Sequence, residues 1–362
     1  MKCTNNQNDQ GRSYYTEREW ARITAAEAEE EKKQRKLFGV MALMLIITAL
    51  MCYLVYFFVL RSHDYELAHT FSKNDRVYGI RTGVQLSSSA SGFASDLCVT
   101  DSDVNSGALT LNAYSAALFN LTGREVDYAK DIFTSRSPAS LTKIMTALVA
   151  LKYGNPDDIV TVTDTALDIE YGSSVCDIKP GDRISLKQLL YGLMIASGND
   201  AAMMIAEHVG GSVEQFVSMM NEEARLLGAT GTHFSNPHGL TDPEHYTTAY
   251  DLYLMFREAM KYDMFMDMIN RKNYYAEYTR EDGSAVAVTW ESTNHYFTGE
   301  ASAPENVIIY GGKTGTTDDA GACLTLLSKD LYGNPYLSVI LHSQTKEELY
   351  VEMNQILSLV EN

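Results

Sequence analysis

Between Leu37 and Leu60 the chain runs for 24 residues without a charge. As a helix such a run is roughly 36 Å long, enough to cross a bilayer core with some tilt. It is longer than the apolar core of a cleavable signal peptide, 36 residues precede it, and no small-x-small cleavage site follows. The pattern therefore predicts an uncleaved transmembrane anchor at 37–60. Lys32, Lys33, Arg35 and Lys36 abut its start. The positive-inside bias then puts a 1–36 tail in the cytoplasm and everything beyond residue 60 outside.

After the apolar run the pattern changes twice. Residues 61–105 include Ser87-Ser88-Ser89-Ala90-Ser91-Gly92, a linker composition. From 106 to 362 strand-like and helix-like segments share one domain. Ala108 to Asn120, Leu121-Thr122-Gly123 and Arg124 to Tyr128 predict strand, turn and strand. Ser140 to Tyr153 predicts a helix stopped at Gly154-Asn155-Pro156, apolar on more than one face and hence buried. Helices are also expected over Leu186–Ile195, Asp200–Val209, Val213–Leu227, Tyr250–Met260 and Lys346–Val360. Strands are expected at Val307–Tyr310, Leu324–Leu327 and Leu337–Leu341. Strands at both ends around a helical middle give an α+β domain with one antiparallel sheet.

Charge sharpens this layout. The net charge of −18 is uneven: residues 1–60 hold eight Lys/Arg against seven Asp/Glu, and the rest hold 21 against 40. So acidic a domain repels nucleic acid and anionic headgroups, which argues against nucleic acid as a partner. Of the five cysteines, Cys98, Cys176 and Cys323 lie beyond the apolar run and form no CxxC pair. Isolated thiols are expected, with one disulfide among the three left open. His233, His238 and His245 are spaced too irregularly for a helical ligand face, so no metal site is predicted.

The chemistry sits in three short motifs: Ser140-x-x-Lys143, Ser197-Gly198-Asn199 and Lys313-Thr314-Gly315. Each alone has an ordinary structural explanation. Ser140 would make an N-cap, Ser197 and Asn199 would cap the next helix, and Gly311-Gly312 would make a turn. Ser343-x-x-Lys346 matches the first motif as well, but Thr345-x-x-Glu348 there reads as a capping box. Context lifts the trio. Ser140 opens an apolar helix, Lys143 falls one turn on along the same face, and a lysine in such a helix is rare unless paired or working. A hydroxyl, a nearby amine, a second hydroxyl with an amide, and a cation on a glycine-bearing strand are the parts of an acyl-transfer site.

This trio, in this order, occurs in class A β-lactamases and penicillin-binding proteins. The stretches SPASLTKIMTALVAL, LLYGLMIASGNDAAMMIAEHVGG, HFSNPHGLTDPEHYTTAYDL and YGGKTGTT resemble the D-alanyl-D-alanine carboxypeptidases, the low-molecular-mass penicillin-binding proteins. The resemblance implies a five-stranded antiparallel sheet flanked by helices, with a helical part beside the cleft. It also implies removal of the terminal D-alanine from bacterial peptidoglycan stem peptides, acylation by β-lactams, and no cofactor. On this reading Ser140 is the nucleophile, Lys143 its base, Ser197 a proton relay and Asn199 an orienting amide. Lys313, Thr314, Gly315 and Thr316 bind substrate, and the N–H groups of Ser140 and Thr316 form the oxyanion hole. Two departures are visible. Many relatives carry a cleaved signal and a C-terminal anchor, whereas the apolar run here is N-terminal. Ser292-Thr293-Asn294 also stands where many relatives begin with Asn. A class A-like β-lactamase is the alternative, although no Glu-x-x-Leu-Asn follows the second motif. A non-catalytic, membrane-anchored β-lactam sensor is another, with only a short inner tail to signal through. Transfer of the acyl group to a second amine is a third outcome.

Overall fold

The computed structural model describes residues 96–360, apart from 106 and 108, together with scattered helical positions from 22 to 53. The chain divides into Met1–Ser87 and Ser88–Asn362. Among the described residues no helix is long and apolar enough to cross a membrane. Most of the 37–60 run and the 61–95 segment lie outside the described residues.

The second unit is built on an antiparallel five-stranded sheet in the order β2-β1-β9-β8-β7. Its strands are β1 Ser115–Asn120, β2 Glu125–Lys130, β7 Val307–Thr317, β8 Gly321–Asp330 and β9 Pro335–Ser343. Period-two alternation gives each face its own core. Ala117, Phe119, Val339 and Leu341 face one apolar cluster, while Ala116, Leu118, Leu324 and Ile340 face the other. The second cluster is closed by α8, Lys346–Leu357, through Leu349, Met353 and Ile356. The first receives the remaining helices: α1 Lys143–Tyr153, α2 Leu186–Ile195, α3 Asn199–Gly210, α4 Val213–Leu227, α5 Ala249–Ala259 and α6 Asp263–Ile269. α7 is a single turn at His295–Thr298. Helix α1 buries nearly every side chain from Lys143 to Ala150, as its all-round apolar pattern requires.

Several expected boundaries move, each for a local reason. β1 begins at Ser115, not Ala108, because the carbonyls of Leu111 and Ala113 are taken by the Lys130 ammonium (both 2.7 Å) and not by a ladder partner. β7 runs on through the whole lysine motif, with an irregularity in its pairing between Ile309 and Gly311. The capping box before α8 is only half made. Thr345 accepts from the Glu348 N–H (3.1 Å), but the Glu348 carboxylate is engaged by Asn112.

The larger correction is a second sheet, in the order β3-β4-β5-β6, where one sheet was expected. Its strands are β3 Ile159–Thr161, β4 Arg183–Ser185, β5 Asn273–Thr279 and β6 Ala285–Glu291. β5 alternates outward Tyr275 and Glu277 with inward Ala276 and Tyr278, a one-sided strand whose tyrosines and glutamate mask its period. The described cysteines, Cys98, Cys176 and Cys323, are free and buried.

Candidate active site

The site's floor is the start of α1. A 3-10 turn, Ala139–Thr142, precedes the helix, and no side chain caps either start, so Ser140 is not an N-cap. Ala139 takes a left-handed φ of 48°, unusual for a residue with a Cβ. Three polar side chains on this apolar helix are met by one loop. Thr146 donates to Pro237 O (2.6 Å), Lys143 to His238 O (2.8 Å), and Thr142 lies 2.8 Å from the His245 ring. The loop is shaped by Asn236, whose Oδ1 accepts from the N–H groups of His238 (3.3 Å) and Gly239 (2.7 Å). Gly239 is needed there: its φ is +89°, and a Cβ would fall 1.8 Å from Ala139 O.

Lys143 is fully buried, and its Nζ lies 2.9 Å from Ser140 Oγ, 2.6 Å from Asn199 Oδ1 and 2.8 Å from His238 O. The two carbonyl oxygens can only accept, whereas the Ser140 hydroxyl can donate or accept. A neutral amine satisfies all three: two N–H bonds go to the carbonyls, and its lone pair receives the Ser140 O–H. Asn199 opens α3, and Ser197 precedes it in a left-handed bend (φ 61°). The helix start at Gly198 has no side-chain cap, so neither Ser197 nor Asn199 is capping it. Ser197 Oγ instead accepts from Lys313 Nζ at 2.9 Å.

The wall is β7. Lys313 points inward, buried, donating also to Thr314 O at 2.9 Å. Gly315 lets the strand lie against the turn that carries Ser140, since a Cβ there would stand 3.0 Å from both Ser140 N and Pro138 O. Beside them opens a crevice of about 250 Å³ lined by Ser140, Ser197, Thr314, Thr316, His295 and Lys346. A larger groove, about 670 Å³, runs beside β2 and holds none of the motif residues.

The electrostatics follow from burial. Loss of solvent holds the Lys143 ammonium well below the usual lysine range, and the Lys313 charge pushes the same way. Burial also lowers Lys313, to about 7. His238 and His245 are lowered to about 3 and about 4, burial first and other cations after it, apart from a nearby Asp242 that raises His245.

All five side chains from the three motifs' polar positions other than Thr314 thus form two hydrogen-bonded groups, Ser140–Lys143–Asn199 and Ser197–Lys313. Thr314 and Thr316 stand in the lining. Sequence reasoning missed several contributors. The His238 carbonyl is a backbone group, Thr293 bonds the Thr314 hydroxyl (2.5 Å), and Lys346 passed for part of a helix start. Asn-Pro-His-Gly was the only signal for the first, as a tight turn.

Residues 102–345 match the D-alanyl-D-alanine carboxypeptidase family, and the chain belongs to that family. It is 34% identical over 257 residues to the D-alanyl-D-alanine carboxypeptidase DacF of Bacillus subtilis, covering 69% of this chain and 62% of the relative. To DacD of Escherichia coli it is 33% identical, covering 58% of this chain and 53% of the relative. The chain therefore spans less than two thirds of the length of these relatives. Among solved structures, the Streptomyces K15 DD-transpeptidase superposes with a TM-score of 0.64 at 30% identity, over 69% of this chain and 97% of that one.

Proposed function

We propose that the chain is a serine D-alanyl-D-alanine carboxypeptidase working through an acyl-enzyme on Ser140. The observation that carries this reading is the buried Lys143 amine held at 2.9 Å from the Ser140 hydroxyl by two obligatory acceptors. A hydroxyl is a weak nucleophile and needs a base, and an amine kept neutral by burial and by Lys313 is one. Ser140 Oγ attacks the carbonyl between the two D-alanines while its proton passes to Lys143 Nζ. The N–H groups of Ser140 and Thr316 hold the oxyanion. The proton then reaches the leaving amine through Ser197, the C–N bond breaks, and free D-alanine departs. Water attacks the ester, giving its proton to Lys143, and Ser140 is released with that proton.

The substrate carboxylate suits the Thr314 and Thr316 hydroxyls, with Lys313 behind them and Lys346 at the rim adding positive charge. β-Lactams offer the same pairing of carbonyl and carboxylate, so they acylate Ser140 as well. The 24-residue apolar run supports an N-terminal anchor in a bacterial cell membrane, with the domain outside, where peptidoglycan lies. Hydrolysis of diacetyl-Lys-D-Ala-D-Ala by the full chain, with Ser140→Ala as control, tests the proposal. Release of D-alanine by the wild type alone is expected, and equal release by the variant overturns it. A second reading, transfer to an amine, draws support from the K15 relative, which is described as a transpeptidase. Added amine acceptor would then divert product from acid to amide.

A further inference from the structure

The loop under α1 contains a histidine that the acyl-transfer steps leave unused. His245 is 3% exposed, and both its ring nitrogens are engaged. The Ser235 backbone N–H lies 3.1 Å from Nδ1. A backbone N–H can only donate, so Nδ1 must be the bare nitrogen and the ring proton sits on Nε2. Nε2 lies 2.8 Å from Thr142 Oγ1, which therefore accepts from it. The Thr142 hydroxyl is left to donate to Ala139 O, 2.8 Å away. Each bond fixes the direction of the next: Ser235 N–H to His245, His245 to Thr142, Thr142 to Ala139 O.

The end of this chain is one half of the peptide that joins Ala139 to Ser140. In a planar trans peptide the carbonyl and the N–H point in opposite directions. Holding Ala139 O beneath the turn therefore aims the Ser140 N–H outward, toward β7, where Gly315 leaves room beside it. The hold is needed because Ala139 has a left-handed φ, which a residue with a Cβ does not keep without support. We infer that His245 is a positioning residue that, through the Thr142 hydroxyl, orients the Ser140 N–H at the reacting carbonyl. This rests on the reading of that N–H as an oxyanion donor.

The bond from the Ser235 N–H requires a neutral ring, whereas Nε2 can donate to Thr142 in either charge state. The charged or ionisable groups around it are Asp242, His233, His238 and Lys143, with Arg136 and Asp319 along the groove it lines. Burial outweighs Asp242 and keeps the imidazole uncharged above about pH 4.

Two measurements test this. In full-length enzyme labelled with 15N in its histidine rings, the nitrogen–proton correlation spectrum at neutral pH should show His245 protonated on Nε2 alone. A proton on Nδ1 overturns the inference. Second, T142V, which keeps shape and loses the hydroxyl, should slow acylation by benzylpenicillin about tenfold to a hundredfold per active site, part of the loss from removing a whole oxyanion donor. T142S should stay within about threefold of wild type. A purely structural defect would lower the titratable fraction or the melting temperature and leave the rate per site unchanged. T142V reacting at the wild-type rate overturns the inference. Failure of the wild type itself to be acylated removes the reading of Ser140, and the ring spectrum then still decides the direction of the hydrogen-bond chain.

Discussion

The floor and the wall of the site solve opposite problems. On the floor, Thr142, Lys143 and Thr146 are polar groups in or at the start of an apolar helix; the loop at residues 235–246 supplies a partner to each, and Ala139 O and Asn199 supply the rest. On the wall, Lys313 has one hydroxyl and one carbonyl as partners, and Thr316 is exposed on the crevice. A buried donor without a partner costs about 1–3 kcal/mol, so the floor is held in a single arrangement. The wall keeps one ammonium N–H and the Thr316 hydroxyl in reserve, while the Thr314 hydroxyl is shared with Thr293. Saturated groups define a fixed origin for the proposed nucleophile, Ser140, and unsaturated ones suit the carboxylate of the proposed substrate.

That contrast breaks most completely at Ser140 and Lys143. Ser140→Ala should abolish the covalent penicillin adduct seen by mass spectrometry, and Lys143→Ala should slow acylation by on the order of 1,000-fold. Next is the loop that fills the floor. Gly239→Ala should lower stability by about 2–4 kcal/mol and take most of the activity with it, since the new Cβ meets a backbone carbonyl at 1.8 Å. Gly211→Ala is the control: its φ of +79° is similar, but nothing lies within 4 Å, so thermal melts should show about 1 kcal/mol.

On the wall, Lys313→Ala should raise KM about 10- to 100-fold, as loss of a charged hydrogen bond does. The pH profile separates the two lysines. On the proposed mechanism, protonation of Lys143 removes the base and gives kcat/KM its acid limb. Lys313, lowered to about 7, loses its charge above that pH and gives the alkaline limb. A bound carboxylate raises Lys313, so the alkaline limb of kcat should lie higher. Stability moves with the same group: between about 7 and the ordinary lysine value of 10.5 the unfolded chain holds a proton that folded Lys313 has shed. Stability from this residue therefore rises with pH across that window, a trend that urea titrations at several pH values would read. The smallest effect belongs to Thr293→Ala, which frees the Thr314 hydroxyl and should change KM by less than about threefold.

The parts of this molecule legible in the sequence are those where residue type alone carries the constraint. A lysine inside the apolar run of α1, and a glycine beside a lysine on β7, are conspicuous because side-chain chemistry clashes with local pattern. Helices α2 and α4 have the expected bounds, since Ser185 and Ser212 cap them and apolar spacing does the rest. The β5–β6 hairpin was hidden because its inward tyrosines are packed by partners far off in the chain. Tyr274, for one, stacks on Tyr191 at 4.0 Å. The loop's contribution was hidden for another reason. The acceptor at His238 is a carbonyl that every residue possesses, and only folding decides where it points.

The strand order carries a consequence for the making of the protein. β1 is seated between β2 and β9, and β9 ends at Ser343, while the two lysines that share the site are separated by most of the domain. A nascent polypeptide released as far as α4 owns the serine and its amine but has neither β7 nor the sheet's middle strand. Competence is thus acquired late and all at once. A fluorescent penicillin added during synthesis should mark only chains that have emerged past β9, which makes the drug a timer for assembly of the sheet.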